Sequence, residues 1–318
     1  MTDKQINKWL RRQFSPVGWV LIGYYLLVNI LSMLAMLWEA LRQMLGVIGH
    51  GRNWFQKMDM DAIASNAWGY IAAIAVLFLV LYAWKGPGYW RREVWVKEKS
   101  MRPGVILSVL CMCVGSQMVN SFWVGGLEWL FNQGGKSLMP LLETVSGDSP
   151  TFSMFLYASV LAPIAEELLF RGYILRSLQP YGKKFAVFAS ALLFGLFHGN
   201  LLQTPYAFLM GLLLGYITVE YSIGWAVALH MFNNLVLADL LTRMTSGLPA
   251  EIAGMIQVVL LGSCLAISGV ILMVKRREIV NYLSSEWMDR RVLKCFFTSG
   301  GILVLTVLMI GNILLMVP

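Results

Sequence analysis

Charge is scarce in this sequence. Of 318 residues, 13% are Asp, Glu, Lys or Arg, about half the share of an ordinary soluble domain. No polar stretch is long enough to fold alone, the longest connections between apolar blocks being about twenty to thirty residues. Histidine occurs three times and cysteine four times. There is no H-E-x-x-H, no zinc-finger spacing and no secreted disulfide framework, so Cys111, Cys113, Cys264 and Cys295 are expected as unpaired thiols. The alternation of a membrane β-barrel is missing, as are internal repeats and low-complexity tracts.

Hydrophobic residues, by contrast, make up 58% of the chain, and its mean hydropathy is +0.66. They come in blocks of about twenty, the length that crosses a bilayer as a helix. The fold class expected is all-α: a polytopic integral membrane bundle of about 8–9 transmembrane helices. Apolar runs lie at 18–38, 67–84, 104–131, 151–170, 185–203, 205–219, 223–241, 254–274 and 298–317, with 104–131 long enough to be tilted or broken at Gly125 and Gly126. The first run follows a basic N-terminus and lacks a small-residue cleavage site, so it is expected to be a retained helix.

With a cytoplasmic N-terminus, 20 of the 25 Lys and Arg residues fall in cytoplasmic segments and 5 on the other side. That bias is the positive-inside rule and puts the C-terminus outside. The net charge of +8 therefore reads as topology and attraction to membrane lipids, and nucleic acid is not an expected partner. The expected location is a plasma membrane, the short loops fitting a bacterial one.

The chain divides into 1–150, with N-terminal helices and charged loops; 151–241, with four closely spaced spans; and 242–318, with C-terminal spans around a basic segment. That segment, "KRREIVNYLSSEWMDRRVLK" (275–294), reads as one interfacial amphipathic helix. Gly211 and Gly215 form a GxxxG, which packs helices closely within a chain or between copies, leaving a homo-oligomer open.

The central block concentrates chemically capable side chains in apolar surroundings. "PIAEELLFRGYIL" holds Glu166, Glu167 and Arg171, and intramembrane charges cost roughly 2.5–3.5 kcal/mol each. Glu167 and Arg171 are four apart, the favourable order for an ion pair, while Glu166 points about 100° away and is left for another task. His198 stands in "FGLFHGN"; His230 and Asn234 share a face in "ALHMFNN". At about 1.5 Å per residue, Glu166, His198, His230 and Asn234 lie about 9–20 Å from the cytoplasmic ends of their spans, so they can converge. Singly, each has a plainer reading: interhelical hydrogen bonds for His and Asn, a structural pair for Glu167 and Arg171, core packing or a site wall for Phe194. Glu39, Arg42 and Glu220 read as interfacial charges, and His50 in a polar loop has no assigned role. A shared polar site accounts for the cluster as a whole.

"EELLFR" at 166–171 matches EExxxR, "FGLFH" at 194–198 matches FxxxH, and "HMFNN" at 230–234 contains HxxxN. In order and spacing these resemble the CPBP family, the type II CAAX prenyl endopeptidases and bacteriocin-processing relatives also called Abi proteins, over about 155–240. The resemblance implies an intramembrane endopeptidase with a cavity opening to the cytosol. It implies that Glu166 activates water with help from His198, that His230 and Asn234 stabilise the oxyanion, and that Glu167 and Arg171 hold the site. The implied partner is a peptide or protein substrate: a hydrophobic leader, pheromone or bacteriocin-like peptide, or a prenylated protein in a prenylating host. No cofactor is expected. Zinc held by Glu166, His198 and His230 is the alternative, disfavoured by the missing H-E-x-x-H. A different class of function also fits intramembrane charges: a non-catalytic peptide-binding immunity scaffold or a transporter component.

Overall fold

The computed structural model describes residues 2–47, 58–146, 151–285 and 288–318; His50 lies outside them. The described residues are helical with no strand among them, apart from one antiparallel bridge between Lys97 and Ser222. The chain begins with α1 (Asp3–Val47), the short α2 (Met60–Ala64) and α3 (Trp68–Tyr89). The carboxylate of Asp59 caps α2 by accepting from the Ala62 amide at 2.9 Å. Pro103 opens α4 (Pro103–Gln133), where its missing N–H has no helical partner to lose. Of the two alternatives, a tilt or a break, the break is absent: α4 runs unbroken through Gly125 and Gly126. The short α5 (Met139–Ser146) follows.

The central block comprises α6 (Phe152–Tyr181), α7 (Lys183–Phe197), α8 (Thr204–Glu220) and α9 (Ile223–Thr245). Two of these helices are irregular. In α6 the six-residue turn Ala162–Glu167 lies between wide π-helical stretches at Leu156–Leu161 and Leu168–Leu175; α9 has a third at Phe232–Leu240. Such turns are frequent at functional sites. Beyond lie α10 (Ala250–Val274), α11 (Arg276–Ser285), α12 (Arg290–Phe297) and α13 (Gly300–Leu315). The basic segment expected as one amphipathic helix thus forms two, the second started by an Asp289 cap on Arg291 N–H at 2.7 Å.

Among the described residues six helices are long and apolar enough to cross a membrane, and α12 with α13, bent by 65°, makes a seventh if the pair is one span. Helices α7 and α8, of 15 and 17 residues, rise only about 22 and 26 Å, short of the roughly 30 Å of hydrocarbon. Each apolar run of the sequence finds a helix, and the protein is an integral membrane helical bundle.

Helix α1 packs on α3 and α13, α4 on α10, and α7 on α8. The GxxxG works inside the chain: a Cβ on Gly211 would lie 2.9 Å from the Ala191 Cα of α7. Gly211→Leu is therefore expected to force α7 and α8 apart and to lower thermal stability by about 1–3 kcal/mol. Thermal unfolding in detergent checks this, and an unchanged midpoint would remove the packing role.

The helix ends sort into two sets. At one, Lys97 bridges to Ser222, Lys184 Nζ donates to the Leu283 carbonyl, and Arg11 Nε donates to Thr298. At the other, Thr151 donates to the Ser65 carbonyl, Gln203 to that of Val145, and Asn312 to that of Gly199. The basic loops gather at the first.

Candidate active site

Glu166 and Glu167 occupy the ordinary helical turn between the two wide stretches of α6. Neighbours on a helix differ in direction by about 100°, and the two carboxylates meet different surroundings. Glu167 is wholly buried. Its Oε1 accepts from Arg171 Nη1 at 2.8 Å and faces His230 Nδ1 at 2.8 Å. Arg171, also wholly buried, donates through Nη2 to the Gly211 carbonyl at 3.2 Å. Its guanidinium lies 4.4 Å from the centre of the Phe194 ring, a cation–π contact. The Glu167–Arg171 pair is the one expected from spacing; His230 as its third member is new. A carboxylate paired with arginine accepts, so the His230 proton on this side belongs to Nδ1.

Glu166 faces a cavity, its side chain a quarter exposed, with Oε2 3.7 Å from His230 Nε2. His198 ends α7, its Nδ1 2.9 Å from the Phe194 carbonyl. A carbonyl can only accept, so Nδ1 holds the proton and Nε2 is left as an acceptor. Phe194 stands edge-on to both imidazoles, centroids 4.9 Å from His198 and 5.7 Å from His230, so it is core and site wall at once. Asn234 donates from Nδ2 to the Ala158 carbonyl at 3.0 Å and accepts from Asn233 Nδ2 at 3.0 Å.

The cavity measures about 470 Å³, and Glu166, His198, His230 and Asn234 all line it. It also takes side chains that sequence reasoning missed. Asn233 Oδ1 accepts from Tyr206 Oη at 2.7 Å and Gln117 Nε2 at 2.9 Å, which fixes the amide that orients Asn234. Asn120 lines the same wall, and its buried Oδ1 has no hydrogen-bond partner. The available signal was Gln117 and Asn120 three apart on one face of an apolar helix. Toward the basic ends the site is closed by Leu169, Phe170, Tyr173 and Ile223, each at most 2% exposed. In the opposite direction the lining reaches Val145, Gln203 and Asp239. A wider groove of about 670 Å³ at the basic ends, lined by Lys4, Lys8, Arg11 and Arg12, has no carboxylate or histidine in its walls.

Among the described residues no group of three or more His, Cys, Asp or Glu is gathered as a metal ion requires. Glu166, His198 and His230 share the cavity without forming that set.

Residues 148–236 match the family described as type II CAAX prenyl endopeptidase Rce1-like. This segment is Rce1-like. The chain matches no curated protein and no solved structure. The Rce1-like match holds all three motifs, from Glu166 to Asn234, and supports a CAAX-protease-type intramembrane peptidase role. Gln117 and Asn120, on α4, lie outside the Rce1-like segment yet complete its cavity.

Proposed function

We propose that the protein is a glutamate-dependent intramembrane endopeptidase in which Glu166 activates the attacking water. The observation that supports this reading is the division of labour between adjacent carboxylates: Glu167 is sealed behind the site with Arg171, whereas Glu166 faces the cavity beside His230 Nε2. A water at about 2.8 Å from both Glu166 Oε2 and His230 Nε2 closes a triangle on their 3.7 Å separation, within the reach a general base needs. His198 Nε2, an acceptor, helps to orient that water.

Glu166 takes the water's proton as the oxygen bonds to the substrate carbonyl carbon. The negative charge on the carbonyl oxygen is met by donors in a poorly hydrated site, where they are worth more than in water. Asn234 Nδ2 has two hydrogens and commits one to Ala158, so the second is available. His230 turns Nε2 toward the cavity beside Glu166, where a hydrogen on that nitrogen would be donated to the same oxyanion. The tetrahedral intermediate collapses with cleavage of the C–N bond, and Glu166 returns the proton to the departing amine. The expected substrate is a membrane-associated or hydrophobic peptide.

The test is a map of peptide termini by mass spectrometry from cells making the wild type, Glu166→Gln or Glu167→Gln at equal abundance. Termini present with the wild type and lost with Glu166→Gln are expected, and they identify the substrate. Identical maps for the wild type and Glu166→Gln would overturn catalysis and favour a peptide-binding scaffold. Tyr206→Phe removes the 2.7 Å hydrogen bond that fixes Asn233. It is expected to lower turnover of the mapped substrate about fivefold, the scale of one hydrogen bond, with little change in the unfolding midpoint; a rate equal to wild type would free Asn234 from this support.

A further inference from the structure

We propose that the active-site cavity is reached from the side of the membrane opposite the basic loops, and that the substrate is therefore the membrane-proximal part of an exported polypeptide. This inference rests on the reading of the cavity as a proteolytic site, but its structural half stands on the cavity alone.

Two independent observations meet here. The first is the shape of the site. Between Glu166 and the basic helix ends lies a plug of buried apolar side chains, Leu169, Phe170 and Tyr173 of α6 with Ile223 of α9. Among the described residues, none of the basic-end connections at 85–103, 176–184, 220–222 and 275–298 lines the cavity. Its walls extend the other way, to Val145 of α5, Gln203 at the start of α8 and Asp239 late in α9. Gln203 Nε2 donates to the Val145 carbonyl at 3.2 Å, so two of these residues share one rim. The short hairpin of α7 and α8 fits an opening on this side. Helices rising about 22–26 Å do not span about 30 Å of hydrocarbon, and the turn joining them brings His198 and Gln203 to the cavity wall.

The second observation is charge. Leaving out the buried Arg171, Lys and Arg crowd the closed end by 19 against 3 among the described residues, and cations of short loops are retained on the cytoplasmic side. The closed end then faces the cytoplasm and the rim faces outward, the reverse of the cytosolic mouth implied by family resemblance. The chemistry of the walls suits a peptide arriving from water: Gln117, Asn120, Tyr206 and Asn233 offer polar groups, and the unpartnered Asn120 Oδ1 is an acceptor for a peptide N–H. A polypeptide already carried across the membrane presents such a segment at the outer surface; a cytosolic C-terminus does not.

The experiment is cysteine accessibility in the full chain, with Cys111, Cys113, Cys264 and Cys295 replaced by alanine. Single cysteines are placed by Asn120→Cys in the cavity, Gln203→Cys at the rim and Lys97→Cys at the basic end. Each is treated with a membrane-impermeant maleimide in intact cells or spheroplasts and in inside-out vesicles. A membrane-permeant maleimide reports that each thiol is reactive. The result expected is labelling of Asn120→Cys and Gln203→Cys in intact cells and of Lys97→Cys only in inside-out vesicles. Labelling of Asn120→Cys in the preparation that labels Lys97→Cys would overturn the access route. So would its modification by the permeant reagent alone, since the cavity would then be closed to both aqueous sides. Labelling of Lys97→Cys in intact cells would reverse the topology and overturn the exported substrate. No readout uses activity, so failure here is distinct from failure of the peptidase reading.

Discussion

Glu166→Gln is expected to reduce cleavage of the mapped substrate by about 10²–10⁴-fold, the usual contribution of a positioned general base, while the unfolding midpoint stays at the wild-type value. The substitution keeps the shape of the side chain and removes its basicity. Glu166 faces the cavity and has only the 3.7 Å approach to His230 as an ionic contact, so little of the fold depends on its charge. Glu167→Gln offers the contrast. An amide oxygen still accepts from His230 Nδ1 and Arg171 Nη1, but without the negative charge that makes those hydrogen bonds strong. Stability should fall, with activity following the amount of folded protein. Initial rates and thermal unfolding of purified protein in detergent separate the two variants. A Glu166→Gln enzyme retaining more than about a tenth of wild-type turnover would remove Glu166 from the role of base.

Arg171→Met is expected to be the most destabilising single change in the central block, at about 3–5 kcal/mol, the penalty of stranding one member of a buried ion pair. Arg171 and Glu167 have no exposure at all. Without the guanidinium, Glu167 stays buried and charged with His230 as its remaining partner; the Gly211 carbonyl loses its donor and Phe194 its cation. Combining Glu167→Gln with Arg171→Met removes the charges together and should recover a large part of the loss, because the cost lies in the unpaired charge. The check is a double-mutant cycle on unfolding midpoints. Strict additivity of the two single changes would mean that the pair does not hold the site together.

Much of this was legible in the sequence because the signals were local. Apolar runs give helices wherever the backbone must satisfy its own hydrogen bonds in lipid, and each run between 18 and 317 finds one. The i,i+4 order of Glu167 and Arg171 predicted their contact correctly. What was hidden depends on tertiary placement. Gln117 and Asn120 lie more than forty residues before Glu166, and only the packing of α4 against the central block brings them to the cavity. The bond from His230 to Glu167 spans 63 residues. Asn233 was passed over because an ordinary helix puts Asn234, not its neighbour, beneath His230.

The wide turns of α6 and α9 also fix the spacing of the chain. A π turn closes with i→i+5 bonds and holds about one residue more than an α turn, so each one retards the helix beyond it by about 100°. Removing a residue from Leu156–Leu161 would let an ordinary helix form there with little strain. Everything from Ala162 onward would then be out of phase, and the direction into the cavity would pass from Glu166 to a sequence neighbour. Two adjacent glutamates with unlike duties make that slip costly. The helix can exchange many of its apolar side chains one for another, but it cannot change the number of residues between Phe152 and Arg171.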